Sequence, residues 1–337
     1  MVSLAVIGYG YWGPNLARNW VQIKKANLKY ICDIRPDRCN LAKYNYPNIE
    51  VVEDYHQILN DDSIEAVNIV TPIETHYQIA KDALLAGKHV LVEKPMTASS
   101  IEAEELITIA QKTNKILMVG HTFLYSPPVL KIKEYICRGV LGKIDFIQLT
   151  RINLGRIKHN FNVIWDLAPH DFSILDYWLD EAPMVVNAVG KASTFKQICD
   201  VAFINLKYPE GVIANVHLSW LSPVKLRQSY IVGTKQMVVY DDIHPTEKVK
   251  LYDMGVDLIK DPETFGEFQL IYRTGDIHSP HLESVEPLSM ECSHFIECIE
   301  EQKRPRTDYY QALRIIKIIE AAQKSLLNNG VEVKVEL

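Results

Sequence analysis

The chain opens on a six-residue run, 2–7, that passes directly into Gly8-Tyr9-Gly10-Tyr11-Trp12-Gly13. A mostly apolar run this short reads as a strand buried on both faces. A glycine-rich turn after it, opening a helical pattern at 12–24, is how a βαβ unit starts. Each glycine has its own task. Gly8 permits the tight turn, Gly10 lets the backbone approach a pyrophosphate, and Gly13 lets the helix pack close to the strand. The N–H groups of the first helical turn then face the phosphates. Pro14 sits in that turn, where its missing N–H is not needed. Alone, GxGxxG is weak; the competing reading is a structural turn with no ligand.

The same alternation continues to residue 120. Apolar runs at 28–33, 50–53, 66–71, 89–93 and 116–120 are separated by amphipathic stretches, the clearest at 35–44, 75–86 and about 100–113. Six strands with crossover helices call for a doubly wound parallel sheet. Beyond it, Ser126-Pro127-Pro128 interrupts the chain and a helix is expected over 129–138. Longer alternating strands follow at 145–152, 184–190, 201–208, 212–220, 226–232 and 237–240, with Pro209-Glu210-Gly211 as a hairpin turn. They predict one large, mostly antiparallel sheet with a few helices on one face. Helices at 287–301 and 309–328 and a short strand at 331–335 complete the chain. The expected class is α/β plus α+β, with a dinucleotide-binding domain at 1–121 and a substrate-binding and oligomerisation domain at 122–337.

Composition removes several function classes. The formal net charge is −6, so nothing draws the chain to nucleic acid or to anionic membranes. No apolar run reaches about 18 residues, as a membrane-crossing helix would need. The first residues lack the basic start of a signal peptide. Six scattered cysteines without a CxxC pair read as reduced thiols of a cytoplasmic protein. Cys292, His294 and Cys298 fall around a helix with no fourth ligand, so no metal is expected.

Four further places carry chemistry. Asp33 ends the second strand, twenty residues beyond Gly13. An acid there accepts hydrogen bonds from ribose hydroxyls and repels a 2′-phosphate, which favours NAD over NADP. Arg35 and Arg38 could accept that phosphate, so NADP stays open; a helix-capping Asp33 is the plainer alternative. Glu93-Lys94-Pro95 closes the fifth strand, where α/β sheets bind ligands. Lys94 is poised over the nicotinamide region, semi-buried enough for its pKa to fall and for proton exchange. Pro95 restrains its backbone. Asp166 and His170 are four apart and share a face if helical, and a carboxylate there orients the imidazole and raises its basicity. Pro169 implies that any such helix begins only just upstream. Thr71 and His76, after the fourth strand, are placed to contact the dinucleotide, with Tyr11, Trp12, Arg35 and Glu93. His121 and Tyr125, beyond the sixth strand, are expected to line the cleft. A solvated Lys94 and an ordinary surface or core His170 are the bland readings.

Gly8–Gly13, Glu93-Lys94-Pro95 and Asp166…His170 together resemble the glucose–fructose oxidoreductase/inositol dehydrogenase (Gfo/Idh/MocA) family over nearly the whole chain. Gly139-Val140-Leu141-Gly142-Lys143 and Arg304-Pro305 add to the resemblance. It implies a Rossmann domain followed by an open-faced β-sheet domain, a tightly held NAD(P), and a sugar or cyclitol substrate. By position, Lys94 looks like the family's active-site lysine and Asp166 and His170 like its DxxxH pair, with His170 the acid/base. The resemblance also implies a homodimer or homotetramer paired through the open sheet face. Where many relatives have a Gly-rich stretch before the Asp, this chain has Phe161-Asn162-Val163-Ile164-Trp165, so Trp165 is a candidate to shape the sugar pocket or pack on the nicotinamide. Gly10-Tyr11-Trp12-Gly13-Pro14-Asn15 looks like a subgroup acting on nucleotide-linked sugars, including UDP-N-acetylglucosamine-type 3-dehydrogenases. The expected activity is hydride transfer between nicotinamide and a secondary sugar alcohol, with C3 the favoured carbon. Lys94 and His170 would flank that carbon, and their roles as base and stabiliser could be exchanged. Arg151, Arg156, Lys158 and His159 could serve a diphosphate. The alternatives are a free-sugar or inositol dehydrogenase and a non-catalytic NAD-binding sensor.

Overall fold

Val2–Ile7 forms strand β1, and its neighbours explain why all of it but Ser3 is buried: it lies between two parallel partners, and both faces are covered. In this computed structural model, residues 1–155, 157–258 and 270–337 are described; Arg156 lies outside the described residues. After β1 come α1 (Gly13–Gln22), β2 (Ala26–Cys32), α2 (Pro36–Asn45), β3 (Glu50–Val52), α3 (Tyr55–Leu59), β4 (Ala66–Ile69), α4 (Ile73–Leu85), β5 (His89–Glu93), α5 (Ser100–Thr113) and β6 (Leu117–Gly120). Next are α6 (Pro127–Cys137), β7 (Ile144–Leu154), α7 (Val163–Leu179), β8 (Val185–Lys191), β9 (Val201–Lys207), β10 (Ile213–Ser219), β11 (Leu221–Gly233), β12 (Met237–Asp241), β13 (Val249–Leu258) and β14 (Leu270–His278). Helices α8 (Pro287–Glu301) and α9 (Tyr309–Leu327) and strand β15 (Val333–Lys334) follow.

The chain divides into two compact units. One comprises Met1–Ser126 with Val285–Lys317, the other Pro127–Ser284 with Ile318–Leu337. In the first, six parallel strands run in the order β3-β2-β1-β4-β5-β6. The order reverses between β1 and β4, and the carboxyl ends of those strands flank the place where open α/β sheets take their ligands. Helix α3, capped by the Asp54 carboxylate on the His56 N–H, is too short to announce itself by periodicity. Helix α8 also belongs to this unit, whereas a division at 121/122 assigns it to the second domain. The reason is its apolar stripe: Leu288, Cys292, Phe295 and Ile296 join the core around Trp20 of α1. The Trp20 and Phe295 rings meet edge to face at 6.2 Å.

The second unit is built on a nine-stranded sheet, β14-β13-β12-β11-β7-β10-β9-β8-β15. Every pairing in it is antiparallel except β7 with β10. Strands β13 and β14 extend it beyond the six expected long strands. Helix α7 corrects an expectation. It begins at Val163, six residues before Pro169, and carries the proline inside. Asn162 makes this possible, because its side-chain oxygen accepts the N–H groups of Ile164 and Trp165 and starts the helix early. Pro169 then removes only the N–H that would have bonded the Trp165 carbonyl.

Arg151 of β7 and Asp171 of α7 form a buried bidentate ion pair, with both N–H···O distances 2.9 Å. Arg151 is therefore an internal tie rather than a group presented to a diphosphate. Removing one partner leaves the other charge buried, at a cost of about 3–5 kcal/mol. Asp171→Ala is expected to lose that much stability in a urea titration. The double variant Arg151→Met/Asp171→Leu should recover most of it, since no unpaired charge remains. Equal losses in the two would contradict this account.

Candidate active site

The turn after β1 leaves no room for side chains at two of its glycines. Gly8 has φ +103°, and a Cβ there would lie 2.6 Å from the Val70 carbonyl oxygen. A Cβ on Gly13 would lie 2.3 Å from the Gly8 oxygen. Gly10 differs: the nearest atom is an Arg35 guanidinium nitrogen at 3.8 Å, so its backbone is approachable. The N-terminus of α1 has no side-chain cap and no acid in its first turn, and its partial positive charge stays available to an anion. Asp33 fixes the turn from below. One carboxylate oxygen accepts the Tyr9 N–H at 2.7 Å and the other accepts the Arg35 N–H at 3.0 Å. An open backbone at Gly10, an uncapped helix start and an acid at the end of β2 fit a dinucleotide. Tyr11 stands in solvent and Trp12 is partly exposed, while the Trp12 indole N–H donates to Glu93.

Glu93 and Lys94 leave β5 together, and the Lys94–Pro95 peptide bond is cis. The Glu93 carboxyl packs against the backbone of β6: a Cβ on Gly120 would be 3.2 Å from its carboxyl carbon and from both oxygens. Burial pushes Glu93 up to about 7, against the pull of the Lys94 ammonium. His121 follows Gly120 and is 2% exposed. Burial first and the Lys94 charge second push it down to about 3. Neither of its ring nitrogens has a hydrogen-bond partner among the described residues. His76 is also buried, but its ring lies 2.8 Å from the Thr71 carbonyl oxygen and 2.9 Å from that of Pro95. It braces the ends of β4 and β5, so Thr71 and Pro95 are held through their backbones.

In the second unit, α7 places Asp166 and His170 one turn apart on the same side. The Trp220 indole N–H donates to Asp166 at 3.0 Å. Trp220 is buried between β10 and β11 and was not a sequence candidate, because nothing in its surroundings marks it. Trp165, in the first turn of α7, is half-buried. The Lys158 ammonium lies 5.8 Å from the Phe161 ring centre and His159 packs on Phe195 at 4.5 Å.

Tyr125, expected to line the substrate cleft, is packed inside the first unit. It is 1% exposed, its hydroxyl meets Thr307 Oγ1 at 3.3 Å, and the Arg306 guanidinium sits 5.0 Å from its ring centre. Its ring borders an open groove of about 440 Å³ shared with His294 and Arg306, which contains none of the cofactor candidates. Among the described residues no three His, Cys, Asp or Glu side chains gather as metal ligands. No described helix is long and apolar enough to cross a membrane.

Comparison with known proteins bears on this arrangement. Residues 2–121 match the oxidoreductase family with an NAD-binding Rossmann fold, and residues 129–239 match the GFO/IDH/MocA C-terminal domain. The chain is 31% identical to UDP-N-acetylglucosamine 3-dehydrogenase of Acidithiobacillus ferrooxidans, over 75% of this chain and 78% of that one. It is 26% identical to the scyllo-inositol 2-dehydrogenase (NAD(+)) of Bacillus subtilis, over 100% and 97% of the two chains. In fold it matches the scyllo-inositol dehydrogenase of Lactobacillus casei, solved with NAD(H) and scyllo-inositol, with a TM-score of 0.81 at 19% identity over 99% of both chains. The turn at Gly8–Gly13, the sheet order and both family matches agree: the chain belongs to the Gfo/Idh/MocA family and is an NAD-binding oxidoreductase.

Proposed function

We propose that the protein oxidises or reduces a secondary alcohol of a nucleotide-linked sugar, at C3, with Lys94, Asp166 and His170 as its working groups. The observation that carries a polyhydroxylated substrate is His121. A buried imidazole with two unpartnered nitrogens calls for a partner. In the neutral state that its depressed pKa enforces, the ring offers one donor and one acceptor. A sugar hydroxyl can satisfy either. His121 is thus a hydrogen-bonding group for substrate and not the acid or base near neutral pH.

When bound, the nicotinamide exchanges hydride at C4. The protein must handle the hydroxyl proton and the charge that develops on its oxygen. His170 takes that proton, with Asp166 orienting it, and Trp220 in turn holds Asp166. Lys94 stabilises the developing negative charge on the oxygen. A nucleotide sugar is supported by the 31% identity to the UDP-N-acetylglucosamine enzyme over 75% of the chain. Inositol oxidation is the second reading, supported by the full-length match to the scyllo-inositol enzyme. The open face of the second sheet supports self-association. Phe146, Phe203, Ile213 and Tyr230 stand exposed there, interleaved with Asn205, Asn215 and Gln148. A homodimer or homotetramer in the cytoplasm, with NAD preferred to NADP, completes the proposal.

Four outcomes are expected. In a thermal-shift screen of the holoenzyme, nucleotide sugars should stabilise more than cyclitols. With the substrate so found, rapid-mix reduction of bound NAD should slow by about 10²–10⁴-fold in His170→Ala and about 10²–10³-fold in Lys94→Met. Parental rates in both variants would refute the assignment. Asp33→Ala should narrow the gap between NAD and NADP affinity in calorimetry; an unchanged ratio would leave Asp33 with its bonds to the Tyr9 and Arg35 N–H groups alone. Phe146→Glu/Phe203→Glu should convert the assembly to monomers in light scattering, and an unaltered mass would clear that face of the role.

A further inference from the structure

The residues that lead into α7 include a cation and an exposed ring pair for which hydride transfer has no use. Lys158 is held beside the Phe161 ring, its ammonium 5.8 Å from the ring centre. Among the described residues no carboxylate forms an ion pair with it, whereas Arg151 is already engaged by Asp171. His159 packs on Phe195, with the ring centres 4.5 Å apart and the planes tilted by 57°. His159 is exposed, and Phe195 is 37% exposed. A phenyl on a surface loop is ordinarily mobile; this one is fixed from beneath. The buried Asp200 carboxylate accepts the N–H groups of Ser193 at 3.0 Å and Thr194 at 2.8 Å. Phe195 and Ile198 then close a turn, the Ile198 N–H donating to the Phe195 carbonyl at 3.3 Å. Just beyond, the Cys199 carbonyl accepts the Val163 N–H at 2.9 Å, which ties this turn to the first residue of α7. All of these residues belong to the second unit.

We propose that Lys158 and the His159–Phe195 pair form the subsite for the nucleotide end of the substrate, the ammonium taking the diphosphate and the rings taking the base. This rests on the nucleotide-sugar reading above. The placement suits an extended molecule. Val163 starts α7, and Asp166 and His170 lie three and seven residues further on. His170 is therefore about 10 Å along the helix axis from Val163. The ring pair stands at the Val163 end of that stretch and the reacting carbon at the other, with the phosphates and ribose between them. Each group matches its task. A base presents a π-face on which an aromatic ring stacks whatever the pattern of its edges. An ammonium is a compact point charge for phosphate oxygens. Asp200 fixes the turn in advance, so that less loop entropy is lost on binding. A free cyclitol has neither phosphate nor base and would leave all three side chains unused.

The probe is uridine diphosphate, titrated into the holoenzyme by calorimetry. The parent should bind it. Phe195→Ala should weaken binding about tenfold and His159→Ala by a similar factor, while Phe195→Tyr, which keeps a ring, should stay parental. Lys158→Met should weaken it about fivefold at low salt. That difference should vanish at high salt, where the Phe195→Ala defect persists. With the nucleotide sugar as substrate, the losses should appear as a raised KM at unchanged kcat. Parental binding of the diphosphate in both Phe195→Ala and Lys158→Met overturns the subsite and leaves the nucleotide-sugar reading in place. Equal defects in Phe195→Ala and Phe195→Tyr, or a fall in kcat in place of the rise in KM, overturn it as well. A parent that oxidises inositol and gives no heat with uridine diphosphate refutes the nucleotide-sugar reading itself, and the subsite with it.

Discussion

Backbone touching backbone is the constraint on which the first unit turns. Gly8 meets the chain just beyond β4, and Gly13 meets Gly8 itself, at separations that no Cβ allows. The consequence is directional. With α1 drawn against the sheet, its uncapped end is aimed at the crevice between β1 and β4, and Asp33 locks the turn by holding the Tyr9 N–H. Room for a dinucleotide at Gly10 is what remains after the two neighbouring glycines have closed up.

Residues adjacent in sequence made this half legible. A short apolar strand, a glycine turn and a helix lie within 22 positions, and the six parallel strands were expected nearly as they stand. Local signals also singled out Lys94 as a candidate, because a lysine between Glu93 and Pro95 at a strand end is unusual on its face. The same reasoning reached its limit at α7. Pro169 argued for a late start, and only the Asn162 cap shows how a helix can start six residues earlier and take the proline in its stride.

What could not be read from the sequence are the partners supplied from far along the chain. Arg151 looked like a candidate anion ligand, but it and Asp171 are each other's buried counter-ions, and twenty residues separate them. Trp220 holds Asp166 from 54 positions away, and Glu291 reaches Thr122 from 169. None of these four carries a pattern. Each matters through burial, a property of the folded arrangement rather than of composition or period.

Helix α8 illustrates what such distant partnership entails during synthesis. The nucleotide-binding half contains the earliest strands, yet the helix that covers Leu16 and Trp20 emerges only after all but the last strand of the second sheet has been translated. Until then a nascent chain bearing α1 presents bare aromatic and aliphatic surface, the kind that chaperones grip. The ribosome therefore releases this half in an unfinished state, and its completion is a late event that waits on the last third of the message.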